Sequence, residues 1–110
     1  MGDTNYFSGT VKILNNPTQK LVQKKTLMTK VWVEIAQLRQ NKLILVVFWG
    51  NLGDEVKHIY QINDYLLIEG YTSIKKTNSK LNKIVITGLK VYPLFLTLSK
   101  TSTKNLNQSY

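Results

Sequence analysis

Short stretches in which apolar residues alternate with polar ones, or run without interruption, dominate this sequence. Clusters of Gly, Asn, Pro and Lys separate them, and Gly, Asn and Pro favour turns. Helical spacing of apolar residues occurs in one stretch, residues 51–60. The pattern therefore predicts a β-rich domain with one short helix. Its five strands are predicted over Tyr6–Leu14, Leu27–Ala36, Leu43–Trp49, Tyr65–Lys75 and Lys83–Tyr92.

The ends of these elements carry recognisable signals. Asn15-Asn16-Pro17 ends the first strand and Pro93 ends the fifth, because proline cannot donate to a β-ladder. Asn51 is the predicted N-cap of the helix. Three strands, a helix and two strands form the order of the OB-fold, a five-stranded Greek-key barrel. We predict this all-β fold for residues 1–96, with the helix between strands three and four, and a flexible basic polar tail over residues 97–110.

Alternation within the strands assigns their faces. In the second strand Trp32 lies opposite to the core-facing valines, between Lys30 and Glu34. In the third strand Trp49 faces away from Phe48 and the core. In the fourth strand Tyr71 points outward. The residues predicted to point inward in that strand are Leu66, Ile68, Thr72 and Ile74, around Gly70.

The charge of the chain points to a polyanionic partner. Lys and Arg number 15 against 6 Asp and Glu, a formal net charge of +9 with a pI near 9.8. Such a surface attracts nucleic acid. Arg39 is the only arginine, and lysine contacts phosphate as a point charge, whereas arginine suits guanine edges. Binding without sequence preference is therefore favoured.

Catalysis and metal binding have little support in the sequence. The chain has no cysteine, and His58 is its only histidine. Asp54 and Glu55 are adjacent, so on a helix they point about 100° apart and do not converge on a metal. The longest apolar run is far below the roughly 20 residues of a membrane span. We expect no enzyme activity, no cofactor or metal, no small-molecule substrate and no membrane partner.

The segment FWGNLGDEVKHIYQINDYLLIEGYTSIK, with Ile68-Glu69-Gly70 in its second half, resembles the bacterial-type single-stranded DNA-binding protein family. The N-terminal FSGTVKILNNP is similar to the first strand of that family. The resemblance implies an OB-fold that binds single-stranded DNA, supports DNA replication or repair and forms homo-oligomers. The Lys- and Asn-rich composition fits a plastid-encoded member; the cytoplasm or nucleoid of an AT-rich bacterium is the other location considered.

The resemblance also implies a binding site of stacking aromatics and phosphate-binding lysines. Trp49 occupies the family's aromatic position before the strand-three glycine, whereas Leu43 and Thr77 stand where the family has further aromatics. The family's acidic C-terminal tip is replaced here by a basic tail. The predicted nucleic-acid-binding residues are Trp49, Trp32, Tyr71, Lys12, Lys30, Arg39, Lys75, Lys76, Lys80 and Lys83.

Two other functions remain open from the sequence. The same rings and lysines would serve an RNA-binding OB module, which a 2′-hydroxyl contact would distinguish. A protein-interaction module that has lost nucleic-acid binding is the other, and the departures at Leu43 and Thr77 favour it.

Overall fold

A computed structural model describes residues 5–35, 43–76 and 82–96, with the backbone alone for residues 43, 75, 76, 82 and 83. The predicted site residues Arg39 and Lys80 and the predicted tail lie outside the described residues. The described chain forms six strands and one helix: β1 (Asn5–Ile13), β2 (Thr18–Val22), β3 (Thr26–Ile35), β4 (Leu43–Trp49), α1 (Asn51–Ile59), β5 (Tyr65–Lys76) and β6 (Asn82–Phe95).

The strands form one sheet in the order β1-β5-β6-β4-β3-β2, and β1 also pairs with β3. This last pairing joins Val11 to Ile35 and Ile13 to Val33, so the sheet closes on itself. Only β4 and β6 run parallel among the described pairs. β2 pairs with β3 alone and lies outside the ring. The predicted five-stranded OB-fold barrel is therefore confirmed.

The inward positions of the strands fill the barrel. Phe48, Leu66, Ile68 and Ile86 are fully buried, as are alternate residues at the C-terminal end of β1 and in the middle of β3 and β4. Helix α1 covers one end and contributes Val56, with Tyr60 just after the helix. The core residues come from the five strands of the barrel and from the helix, and β2 contributes none; the further buried members are Val11, Ile13, Val31, Val33, Ile44 and Val46.

The Ile68-Glu69-Gly70 motif has a structural explanation at each position. Ile68 is a core residue, and Glu69 lies on the outer face opposite Ser8. Gly70 pairs with Gly88 on β6, and a Cβ at Gly70 would overlap the carbonyl oxygen of Thr87. The two facing glycines therefore let β5 and β6 approach closely at the bulge that follows Glu69.

Several sequence predictions of detail were wrong. The polar strand β2 was not predicted, so the helix follows the fourth strand of the chain instead of the third. Gly50, with φ of 66°, occupies the N-cap, and no side chain caps the helix, so Asn51 lies inside it. β6 continues through Pro93, which pairs with Leu66 beside a register shift. Ile74 is 55% exposed and not inward.

Candidate nucleic-acid interface

The three predicted stacking residues lie on one continuous outer face of the sheet. Trp32 projects from β3, Trp49 from β4 and Tyr71 from β5, and their exposures are 36%, 44% and 45%. Strand β6 lies between β4 and β5, so the face comprises β3, β4, β6 and β5. We call this face, with its three rings, the aromatic surface.

Strand register fixes how the rings are spaced. Trp32 lies opposite Leu45 on β4, and Trp49 follows Leu45 by four positions on the same strand. With about 3.3 Å per residue and about 4.8 Å between strands, Trp32 and Trp49 are roughly 14 Å apart. Tyr71 pairs with Thr87 on β6, which pairs with Val47. The same spacings place Tyr71 about 12 Å from Trp49, so each ring can receive a different base.

A second apolar cluster lies between the rings, on the outside of the barrel. Leu45, Val47 and Val85 point outward, yet they are only 5–7% exposed, and Met28 packs against them. Neighbouring side chains therefore already cover this outer apolar cluster. The aromatic rings, by contrast, keep a third to nearly half of their surface exposed.

Local backbone contacts position both tryptophans. Trp49 ends β4, and Gly50 turns the chain into α1 with the positive φ that favours glycine. The Gly50 amide donates to the Leu27 carbonyl over 2.9 Å. The Trp32 amide donates to Asn15 Oδ1 over 2.8 Å, and the Trp32 carbonyl accepts from the Leu14 amide. The predicted Asn15-Asn16-Pro17 turn thus also fixes the site-bearing strand β3.

Of the predicted lysines with described side chains, one lies on the aromatic surface. Lys30 projects from β3 opposite Val47, between the rows of Trp32 and Met28. Lys12 lies instead on β1, opposite Glu34 and Tyr65, where its Nζ is 5.9 Å from the centre of the Tyr65 ring. That distance suits a cation–π contact. The structure therefore does not bring Lys12 together with Trp49.

The remaining predicted lysines lie on the β5–β6 hairpin. The backbones of Lys75 and Lys83 pair with each other, and Lys76 pairs with Asn82. These positions extend the hairpin beyond the row in which Ser73 pairs with Val85. Their side chains are not described.

Sequence reasoning missed two residues that lie next to the aromatic surface. Tyr6 on β1 pairs with Tyr71, and the two rings meet edge to face with centres 5.9 Å apart. Alternation along the first strand could have assigned Tyr6 to the outer face. Lys20 on β2 lies opposite Met28, which lies opposite Trp49. β2 has no apolar alternation, so nothing in the sequence indicates that Lys20 lies beside Met28 and Trp49.

The Tyr6 hydroxyl is bound at the same edge. It donates a 2.5 Å hydrogen bond to Glu69 Oε1. This bond stabilises the neutral phenol, so it raises the pKa of Tyr6, with smaller contributions from burial and from the negative charge of Glu69. One carboxylate therefore lies at the β1 end of the aromatic surface.

The described residues show neither a cluster of metal ligands nor a membrane-spanning helix. Within those ranges, no three His, Cys, Asp or Glu side chains converge as metal ligands. His58 lies 3.5 Å from the Asp54 carboxylate on α1, as a solvent-exposed pair. No helix in the described part of the chain has the length and apolar character needed to cross a membrane.

Comparison with known proteins shows similarity both to a sequence relative and to solved structures. No family model matches the chain. The chain is 33% identical over 102 residues to ycf41 of Trieres chinensis, which is named as a candidate single-stranded DNA-binding protein. The match covers 84% of this chain and 90% of that one. The SSB domain of a Synechococcus protein superimposes with a TM-score of 0.66 at 17% identity, and the match covers 84% of this chain and 96% of that one. The second single-stranded DNA-binding protein of Mycobacterium smegmatis gives 0.64 at 21% identity, covering 87% and 91%.

Proposed function

Because the chain belongs to the single-stranded DNA-binding protein family, we propose that it binds single-stranded DNA without sequence preference. The observation that carries this proposal is the placement of Trp32, Trp49 and Tyr71 as separate exposed rings on one face of the barrel. Each ring can stack on one base. Such stacking contributes about 1–3 kcal/mol per base and tolerates any sequence, because every base has a flat face.

Phosphate contacts come from the basic residues around these rings. Lys30 lies among them on β3, and Lys75, Lys76 and Lys83 are carried by the β5–β6 hairpin. Arg39 and Lys80 are proposed for the same role from the sequence. Because each neutralised phosphate releases a counterion, affinity should fall steeply with salt, by about 0.7 in the logarithmic slope per contact.

The biological role we propose is to protect or present single strands during DNA replication or repair. A plastid location is supported by the Lys- and Asn-rich composition and by the kinship with ycf41. The protein acts by binding alone, with no catalytic step. This fits the paucity of candidate acid–base groups in the sequence, which has one histidine and no cysteine.

We also propose that the protein forms a homo-oligomer. In the described chain, β1 pairs with β3 only over Val11–Ile13, which leaves one edge of Asn5–Thr10 without a partner strand. Such an edge can pair with a strand of another copy. The outer face of β5 and β6 adds exposed apolar side chains, among them Tyr92, Leu94 and Phe95. Sedimentation equilibrium on the parent and on Phe95→Lys tests this: a lower mass for the variant supports the assignment.

A competition assay tests the proposed function. Fluorescence anisotropy of labelled oligo(dT) reports binding, and unlabelled oligo(dA), oligo(dC), duplex DNA and oligo(U) are the competitors. We expect the DNA single strands to compete within about tenfold of one another and duplex DNA to compete poorly. Stronger competition by oligo(U) would assign the surface to RNA. Absence of binding at low salt would overturn nucleic-acid binding and favour a protein-interaction module.

A further inference from the structure

The β2–β3 hairpin carries exposed lysines directly beside the aromatic surface. Lys20 lies on the outer face of β2, since it pairs with Met28, and Met28 pairs with Trp49. Two strand spacings, about 10 Å, therefore separate Lys20 from Trp49. Lys24 and Lys25 lie in the turn at the end of the hairpin and are exposed. The outer face thus continues from the rings to a basic hairpin.

The turn of this hairpin has lysine where glycine would be less strained. Val22 and Lys25 close it through a 3.1 Å hydrogen bond from the Lys25 amide to the Val22 carbonyl. Between them Gln23 and Lys24 have φ values of 52° and 57°. Two positive φ values are the signature of a type I′ turn, which Asn-Gly usually forms. The sequence therefore places a charge, and not the residue that suits the backbone, at the end of the hairpin.

The hairpin is held in place from its opposite face. Gln19 Nε2 donates to Thr29 Oγ1 and to Asp54 Oδ1, each over 3.3 Å. Gln19 alternates with Lys20, so these bonds hold β2 against β3 and α1 and leave Lys20 on the outer face. The lysines thus project from an anchored strand pair.

The distribution of carboxylates favours a negatively charged ligand at the β2–β3 hairpin over the opposite end of the aromatic surface. The described residues of β2, its turn and β3 include one acid, Glu34, which pairs with Leu43 at the far end of β3. Asp54 of α1 also lies against the hairpin, but at the opposite face, where it accepts from Gln19. At the other end of the aromatic surface, Glu69 lies beside Tyr71 and Tyr6. The phosphodiester backbone of a strand that crosses Trp49 is therefore repelled by the Glu69 carboxylate and attracted to the lysines of the hairpin.

We propose that Lys20, Lys24 and Lys25 form a second binding site, for the phosphodiester backbone of the nucleotides next to the base stacked on Trp49. This inference rests on the proposed binding of single-stranded DNA and adds the path of the strand to it. The backbone runs from Trp49 over Met28 to the β2–β3 hairpin. The hairpin is then a phosphate clamp for that strand.

The test compares single lysine substitutions by the salt dependence of oligo(dT) binding. Lys20→Gln, Lys24→Gln and Lys25→Gln each remove one positive charge, and so does the control Lys57→Gln at an exposed position of α1. Each hairpin variant should lower the slope of log affinity against log salt by about 0.7 per lost phosphate contact. Lys24→Gln/Lys25→Gln should lower it by more than one unit. Lys57→Gln should leave the slope unchanged.

Two further variants separate charge from backbone geometry and from the proposed function itself. Gln23→Gly relaxes the turn without changing its charge and should leave the slope unchanged. Trp49→Ala reports stacking. If Trp49→Ala weakens binding while the hairpin variants behave as Lys57→Gln does, the clamp is overturned and the proposed function stands. If the parent does not bind oligo(dT), the proposed function fails, and the clamp fails with it.

Discussion

Tyr6 and Glu69 lie on neighbouring strands, and the Tyr6 hydroxyl donates a 2.5 Å hydrogen bond to Glu69 Oε1. The Tyr6 ring at the same time meets Tyr71 edge to face. This arrangement extends the row of outward aromatics from β5 to β1. It also brings a negative charge to that end of the surface, which makes the β1 end the less favourable exit for a phosphate chain.

The first prediction concerns the ionisation of Tyr6. Its pKa is raised above the ordinary 10.0 because the neutral phenol donates to Glu69. The bond therefore contributes stability below pH 10, and this contribution is lost as the pH rises through the raised pKa. Glu69→Gln should lower the pKa of Tyr6, measured from tyrosinate absorbance after subtraction of the Tyr6→Phe titration. An unchanged Tyr6 titration in Glu69→Gln would contradict the assigned cause.

A second prediction tests the packing of the barrel. A Cβ added at Gly88 would lie 2.5 Å from Cδ1 of Phe48, a fully buried ring. Because the packed core leaves the Phe48 ring no room to shift away from the new methyl group, Gly88→Ala should lower the free energy of unfolding by roughly 1–3 kcal/mol. Urea denaturation measures the change. Leu89→Ala, at the exposed neighbouring position, is the control and should change stability far less.

The fold could be predicted from the sequence because each barrel strand alternates around a buried face. Trp32 and Val33 are assigned correctly by this rule alone. The rule does not extend to β2, whose five residues, Thr18–Val22, carry no alternating apolar face because the strand lies at an edge. The rule also fails at Ile74, which is 55% exposed. Ile74 pairs with Ile84, and Ile84 lies beyond the residues of β6 that pair with β4, so this part of the β5–β6 hairpin extends past the neighbouring strand.

Only part of the candidate site could be predicted, because apolar alternation assigns the face of each residue and not its neighbours on other strands. Alternation identified the outward rings, but it does not give strand order, so the position of β6 between Trp49 and Tyr71 was not foreseen. Lysine positions were chosen along the sequence, and Lys12 proved to lie beside Tyr65 on β1. Lys20 could be assigned only once the pairing of β2 with β3 was known.

A third prediction concerns the strained turn. Gln23→Asn with Lys24→Gly supplies the residues that positive φ favours, so it should raise the free energy of unfolding by about 1 kcal/mol. The same change removes a lysine of the proposed clamp, so affinity for oligo(dT) should fall. Urea denaturation and anisotropy on the same preparation measure both effects. Gains in stability and affinity together would contradict the role of Lys24.

A fourth prediction separates the ring of Tyr71 from its hydroxyl. Tyr71→Leu should weaken binding of oligo(dT) by about 1–3 kcal/mol, because it removes a stacking platform. Tyr71→Phe keeps the ring and should bind within about twofold of the parent. Anisotropy titrations measure both. Equal loss in the two variants would show that the hydroxyl, and not stacking, makes the contact.

The most direct test of the aromatic surface uses the fact that the chain has two tryptophans. In a Trp32→Phe background Trp49 is the sole indole, and its fluorescence can be followed while oligo(dT) is added at low and moderate salt. Our account predicts strong quenching at low salt that added salt reverses, and a weakened affinity when Trp49 is also replaced by Leu. Binding of oligo(dT) without any change in Trp49 fluorescence, or with unchanged affinity in the Leu variant, would contradict it.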